Sequence, residues 1–438
     1  MSLIVQKYGG SSVANAERIK HVAKLIVKAK GKYDNVVAVV SAMGKTTDNL
    51  IKMAAEITDS PSRREMDMLL STGERISIAL IAMAIHSLGH DAISFTGSQV
   101  EIITDASHTK ARILKIGAKR VREELKKGKI VVIAGFQGVS TNRDVTTLGR
   151  GASDTSAIAI AAALGADECE VYTDVEGVFT SDPRIISEAK KIKSITYEEM
   201  LEMASLGAKV MAPRSMQIAQ RFEVPLHIRS SFINKTGTRV ISKERGKMEE
   251  ALVRSVILNE DEVKISIIGI PDKPGIAGTI FSKIADKNIN VDVIIQNISA
   301  KGVADISFTV AKDDLERTLH VTSRLKSVVE PKKIECDKNI AKISIVGIGM
   351  RTSAGVASKM FQALGKNKIN IRTISTSEIK ISCLVDKKEG KKAAKVLHKA
   401  FELDKAVSSN YLKNIKQARK EYKDGEVFSH DTAFGEKK

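Results

Sequence analysis

The chain has no tryptophan, three cysteines and seven prolines in 438 residues, and aromatic residues make up 4% of it. Each scarcity excludes something. Cys169, Cys336 and Cys383 lie far apart and fit neither a zinc-ligand spacing nor a disulfide framework, so a reducing cytoplasm is expected. Few aromatic rings leave few platforms on which bases could stack. The formal net charge of +18 therefore does not by itself predict a nucleic-acid binder. The lysines are spread through predicted helices, and such a surface attracts anionic substrates. No run of about 18 apolar residues occurs, so no membrane span is expected. Met1-Ser2-Leu3-Ile4-Val5 runs straight into a predicted strand, without the layout of a signal peptide.

Residues 1 to about 232 alternate short Val/Ile-rich strands with helices. Strands are predicted at 3–6, 35–40, 92–95, 129–134, 170–173 and 225–229. Helices are predicted at 16–30, 76–88, 110–127 and 154–164. This alternation implies a mainly parallel sheet covered on both faces, with ligands bound beyond the carboxyl ends of its strands. Residues 234–248 read as a linker or a crossing strand.

An internal repeat of about 80 residues follows. Ile265-Ser266-Ile267-Ile268-Gly269 matches Ile343-Ser344-Ile345-Val346-Gly347, and Ile289-Asn290-Val291 matches Ile369-Asn370-Ile371. Each copy reads strand, glycine turn, helix, strand, strand, helix, strand, which is the ferredoxin-like order. The implied units are 1–248, 249–335, 336–407 and a basic tail, 408–438, with an exposed helix at 412–422.

Two glycine-rich turns carry the chemistry. Lys7-Tyr8-Gly9-Gly10-Ser11-Ser12 and Thr147-Leu148-Gly149-Arg150-Gly151-Ala152-Ser153-Asp154 each follow an apolar run and open a helical stretch. Backbone N–H groups and a helix dipole make such turns anion cradles. Lys7 beside Gly9 and Gly10 suits a transferring phosphoryl group, whose negative charge must be neutralised. Arg150 between glycines can grip a carboxylate with two hydrogen bonds. Asp154 is either a helix cap or a group that orients Lys7 or a metal-associated water. Either Ser41 and Thr47 bond a substrate, or Thr47 or Asp48 simply caps the helix. Glu74 either complements a helix dipole or receives a substrate ammonium. The polar loop from Tyr172 to Arg184, with Thr173, Asp174 and Phe179, suits a nucleotide, and Lys209 adds a cation. Two familiar motifs fail: Val39 stands where a P-loop ending in Gly44-Lys45-Thr46 needs glycine, and Asp154 stands at the sixth position of a dinucleotide fingerprint.

With these residues assembled, the chain from Val5 to about Val407 resembles the aspartate kinases of the amino-acid kinase superfamily. The likeness rests on KYGGSSVAN, VSAMGKTTDNL, STGERIS, GFQG, TTLGRGASDTSA, YTDVEGVFTSDPR, EMASLGAKVMAPRS and two trailing repeats similar to ACT domains. It implies an amino-acid kinase fold followed by two ferredoxin-like ACT domains, and transfer of phosphate from ATP to the β-carboxylate of L-aspartate. Lys7, Arg150 and Asp154 are the implied catalytic residues. Ser41, Thr47, Glu74, Phe136, Arg150 and Ser153 are the implied aspartate site, with Glu74 on the ammonium and Arg150 on the α-carboxylate.

Lys7, Gly9, Gly10, Ser11, Thr173, Asp174, Phe179, Arg184, Lys209 and Val210 are the implied ATP site. Magnesium is implied on the phosphates, with no protein metal site. The repeats imply allosteric lysine, threonine or both, with candidate contacts at Asp272, Lys273, Pro274, Gly275, Ile276, Ala277, Asn290, Val291, Asp292, Ser375, Thr376, Ser377 and Glu378. They also imply a homodimer or tetramer built on the ACT domains. Ala152 replaces a glycine usual in the family, which would strain the turn if that position needed a positive φ. No dinucleotide fingerprint follows the repeats, so a fused dehydrogenase is not expected. The rival readings are another amino-acid kinase of the same fold and a non-catalytic amino-acid sensor.

Overall fold

The fold was described from a computed structural model covering residues 1–149, 151–242, 252–298, 302–325, 329–348, 350 and 355–405. Arg150 and the expected tail and helix after 407 lie outside the described residues.

Eight strands form the large sheet of the N-terminal half, in the order Ser194–Thr196, Thr238–Ile241, Leu226–Ser230, Glu168–Thr173, Leu3–Tyr8, Asn35–Val40, Ile130–Ala134, Ala92–Phe95. All neighbours are parallel except Leu226–Ser230 with Thr238–Ile241. The strands are apolar on both sides because both faces are covered. Val5, Val37, Val39 and Val171 face one core with helix Ala152–Leu164. Ile4, Val36, Ala38 and Val40 face another with helices Ala16–Lys30 and Thr72–His86. Adjacent helices Arg63–Leu70 and Thr72–His86 together pass for a membrane span by length and composition. Half of that stretch is buried, and it carries Asp67 and Glu74, so it serves here as a core element.

A second, four-stranded sheet was not foreseen: Ile113–Ile116, Ile102–Thr104, Gln137–Ser140, Val145–Thr147. It corrects the helix expected over 110–127. That stretch splits into the strand Ile113–Ile116 and the short helix Lys119–Lys126. The break falls at Gly117, where an added Cβ would overlap the Glu101 side chain at 1.9 Å.

The repeats form two four-stranded sheets. The first unit orders its strands Val291–Ile298, Val303–Ala311, Glu262–Pro271, Lys333–Asp337. The second uses Ile340–Ile348, Lys380–Asp386 and Thr373–Thr376, and its fourth strand comes from elsewhere. Leu252–Asn259, inside the expected first unit 249–335, pairs antiparallel with Ile340–Ile348. The start of the expected unit 249–335 is thus corrected: the chain enters the second unit, leaves to build the first, and returns. Pairing covers an edge of Ile340–Ile348 that would otherwise be open.

One buried cation joins the units. Lys342, 1% exposed, lies in the second unit and pairs with Glu262 and with Asp292 (2.5 Å) of the first. Burial opposes its charge, but the two carboxylates outweigh burial and its pKa is raised. Lys342→Met should cost about 3 kcal/mol by stranding Glu262. Lys342→Met with Glu262→Gln should recover part of that loss. Urea unfolding measures both, and an unchanged midpoint for the single variant would mean that these charges do not hold the seam.

Candidate functional site

The cleft forms where the central strands end together. Tyr8 is in register with Val40 and Tyr172, and Val40 with Ala134. The first glycine turn leaves Leu3–Tyr8 and is tied to its neighbour, with Ser41 N–H donating to the Tyr8 carbonyl (3.0 Å) and Gly44 N–H to the Gly10 carbonyl (3.0 Å). Gly10 permits this approach, since a Cβ there would lie 2.8 Å from the Ala42 carbonyl oxygen. Gly9 leaves room for the Lys7 ammonium, whose Nζ would be 3.3 Å from a Cβ.

The second turn arrives from Val145–Thr147. Gly149 (φ 96°) and Gly151 (φ 73°) occupy the left-handed region, and helix Ala152–Leu164 starts directly after them. Ala152 is that helix's first residue and is not in the left-handed region, so the strain considered for it does not arise. Asp154, in the first turn of the helix, meets Lys7 at 2.7 Å. Both side chains are about one-tenth exposed. The contact is a close ion pair without the alignment of a hydrogen bond. The two glycine turns therefore share one cleft, although they are about 140 residues apart.

Glu74 lies on the same side. It is 2% exposed; one carboxylate oxygen accepts from Ala42 N–H at 3.1 Å and the other has no partner. Burial pushes its pKa up to about 7, against the lowering effect of backbone hydrogen bonds from its own N–H and that of Ala42. Gly73 lets the helix come this close, since a Cβ there would lie 2.8 Å from that of Ala42. Phe136 turns the chain between the two sheets at φ 66°, a costly conformation for a bulky residue, with its N–H donating to Ser156 Oγ at 3.1 Å. Ser153 fits against Gly135, where a Cβ would be 2.9 Å away. Ser41 and Thr47 are half-buried nearby, on the loop after Val40 and the helix that follows it.

Several positioning residues were not foreseen. Asp67 is fully buried and accepts from Thr147 Oγ1 (2.5 Å) and Thr109 N–H (3.1 Å), with His108 Nδ1 at 2.7 Å, so it anchors the approach to the second turn. Arg214 donates to the carbonyls of Leu148 (3.0 Å) and Ala111 (2.8 Å). Ser231 lies 2.6 Å from Ser12 Oγ and donates to the Thr173 carbonyl (3.0 Å), joining the first turn to the next strand end. An acidic residue set between Met66 and Met68 and followed by Leu69 and Leu70 was the one available signal for Asp67.

The expected nucleotide residues divide. Thr173 ends its strand at the cleft, and exposed Asp174 follows. Phe179 bridges to Lys191, Arg184 pairs with Asp182 (2.8 Å), Lys209 pairs with Asp261 (3.1 Å), and Val210 packs on the core. None of these contacts reaches the Lys7–Asp154 pair. In the first repeat, Asp272–Gly275 form an exposed turn with Gly275 at φ 91°, ahead of helix Ile276–Ala285. In the second, Ser375 and Thr376 end an edge strand, and Ser377 N–H donates to the Lys380 carbonyl at 2.9 Å. The one cluster of three metal-ligand side chains among the described residues, Glu168, Glu170 and His227, lies toward the opposite end of the strands. Its carboxylates already pair with Arg229 and Arg239, at 2.7 Å each.

The amino acid kinase family model matches residues 2–230, and the ACT domain model matches residues 265–324 and 343–401. An aspartate kinase of Stutzerimonas stutzeri is 48% identical over 404 residues, spanning 92% of this chain and 98% of that protein. An aspartokinase of Mycolicibacterium smegmatis is 50% identical over 407 residues, spanning 92% of this chain and 97% of that one. Escherichia coli aspartokinase III in complex with aspartate and ADP shares the fold, with a TM-score of 0.79 at 24% identity over 91% of this chain and 99% of that one. A cleft in which two glycine turns meet at Lys7 and Asp154, a kinase half and a pair of ACT units thus coincide with likeness over nearly the whole length of these enzymes, and the chain belongs to the aspartate kinases of the amino acid kinase family.

Proposed function

We propose that the cleft transfers the γ-phosphoryl group of ATP to the β-carboxylate of L-aspartate with Lys7 as the charge-neutralising group and Asp154 holding it in place. The Lys7–Asp154 contact carries this reading, because it links the two anion turns. The β-carboxylate is already ionised, so the reaction needs no general base, and positioning plus charge neutralisation suffice. Glu74 receives the α-ammonium of aspartate: its unpartnered buried oxygen suits a cation, and the ammonium would compensate the burial that now raises its pKa. Ser41, Thr47, Phe136 and Ser153 shape the pocket, and Arg150 takes the α-carboxylate. Thr173, Asp174, Phe179, Arg184, Lys209 and Val210 form the ATP side with Gly9, Gly10 and Ser11.

Magnesium enters on the ATP phosphates. Asp154 is engaged by Lys7, so the phosphates rather than this carboxylate would hold the ion. The ACT units bind lysine, threonine or both, and they pair with a second copy of the chain in the cytoplasm. Exposed Ile294, Ile298 and Ile374 on edge strands of the two ACT sheets support pairing.

A hydroxamate assay with aspartate, ATP and magnesium, with and without lysine and threonine, tests the reaction and its regulation. Lys7→Ala should lower kcat by about 100-fold or more; parental turnover would remove Lys7 from the mechanism. Gly10→Ala should force the two loops apart and lower kcat/KM at least about tenfold, by the overlap with the Ala42 carbonyl.

The pH dependence of aspartate binding tests Glu74. Its carboxylate forms as pH rises through about 7, so KM for aspartate should fall across that range. Glu74→Gln should raise KM and flatten the profile. Stability has the opposite sign. Between the unfolded value near 4.5 and about 7 the folded chain alone keeps this proton, so the stability it contributes is full below the lower value and lost as pH rises through the upper. Glu74→Gln should therefore unfold at higher urea than the parent at pH 8, and a lower midpoint would contradict the assignment of burial as the cause.

A further inference from the structure

The loop 174–191, read above as the wall of the nucleotide site, is built into the second ACT unit. Ile186 is 3% exposed and belongs to that unit's core with Val256, Leu397 and Leu403. The junction is Thr180. Its carbonyl accepts from Val256 N–H at 2.8 Å, on the strand that the second unit borrows. Its hydroxyl accepts from Lys190 N–H at 2.9 Å and lies 2.9 Å from Nε2 of His398. His398 sits on helix Gly390–Ala400 and is 2% exposed. A buried hydroxyl and a buried imidazole each need a partner, and here each supplies the other's across the boundary between catalytic and regulatory halves. Two residues beyond Thr180, Asp182 accepts the Arg184 backbone N–H at 2.9 Å and its guanidinium at 2.8 Å, fixing that cation on the loop.

We propose that His398 is a positioning residue for the nucleotide: its bond to Thr180 sets the loop that presents Asp182 and Arg184, so the second ACT unit tunes ATP affinity and leaves the aspartate pocket alone. The proposal rests on the reading of this loop as the nucleotide wall. Glu74, Ala42, Phe136 and Ser153 lie on other elements. Docking of the unit does not hang on this one bond. Lys380 pairs with Glu202 at 2.7 Å and Arg254 with Glu199 at 3.5 Å, both on helix Tyr197–Ser205. Loss of the His398 bond therefore loosens the loop at Thr180 while Ile186, the Val256 bond and the half itself stay in place.

Steady-state kinetics of the full chain, varying ATP and aspartate separately, test this. His398→Ala should raise KM for ATP about five- to tenfold, the effect of losing one buried hydrogen bond, and Thr180→Val at least as much, because it also leaves the Lys190 N–H without its acceptor. KM for aspartate should stay within about twofold, and the double variant should be no worse than the weaker single variant. His398→Gln, whose amide can bond the hydroxyl, should restore KM for ATP. A thermal midpoint that falls while KM for ATP stays parental, or equal rises in both KM values, would overturn the proposal. Should His398→Ala not fold, parental KM for ATP in Thr180→Val would overturn it equally. Arg184→Ala separates the two levels. A raised KM for ATP there with no effect of His398→Ala rejects His398 alone, whereas no effect in either variant rejects the loop assignment as well.

Discussion

The Lys7–Asp154 ion pair is the contact on which the rest depends. Parallel pairing brings the end of Leu3–Tyr8 to the middle of the large sheet, flanked by Asn35–Val40 and Glu168–Thr173. The second glycine turn reaches the same place through a separate small sheet, and its helix delivers Asp154 to Lys7. A lysine and an aspartate this buried would be costly apart, and each lowers the cost of the other. Around the pair, backbones approach so closely that Gly10, Gly73 and Gly135 leave no room for a Cβ. Such close packing of backbone around the pair suits catalysis by positioning and charge neutralisation.

The regulatory half is joined to this cleft by interlacing. Leu252–Asn259 completes the second ACT sheet before the chain builds the first, and the loop 174–191 places Ile186 in the second unit's core. Lys342 then bridges the two units through Glu262 and Asp292. Asp292, an expected effector contact, is thus already part of a charge network between the ACT units. A ligand there would act on the seam, and the seam adjoins the unit that holds the loop 174–191 through Ile186 and Thr180. Allosteric coupling needs such an element with two arrangements that both sites can bias.

Much of the fold was legible because strong patterns are local. The Val/Ile-rich strands, helix Ala16–Lys30, the glycine turns and the repeat of Ile265–Gly269 in Ile343–Gly347 each have signals within a few residues. What escaped was non-local. The small sheet uses strands of three or four residues, too short for a periodic signal, and one of them was read as part of a helix. The borrowed strand reads like any other strand, and only its partner reveals its unit. Asp67 and Ser231 carry no motif, and Arg214 lies in one, EMASLGAKVMAPRS, that assigns it no role; their roles come from what they touch across 80, 219 and 66 residues of chain.

By itself, the sequence determined the parallel α/β half, the two ferredoxin-like repeats and the glycine turns with their charged residues, because turn chemistry, strand-helix alternation and repeat spacing are written in neighbouring residues; the kinase and ACT identities came from the motifs' family resemblance. Only the tertiary structure decided that Lys7 meets Asp154, that Glu74 is buried with an unpartnered oxygen and a pKa near 7, and that Lys209 faces Asp261. It also decided that His398, in the second ACT unit, meets Thr180 on the loop 174–191. Burial and ion pairing depend on which distant segments share a neighbourhood, and desolvation and Coulomb energies take their size from that neighbourhood.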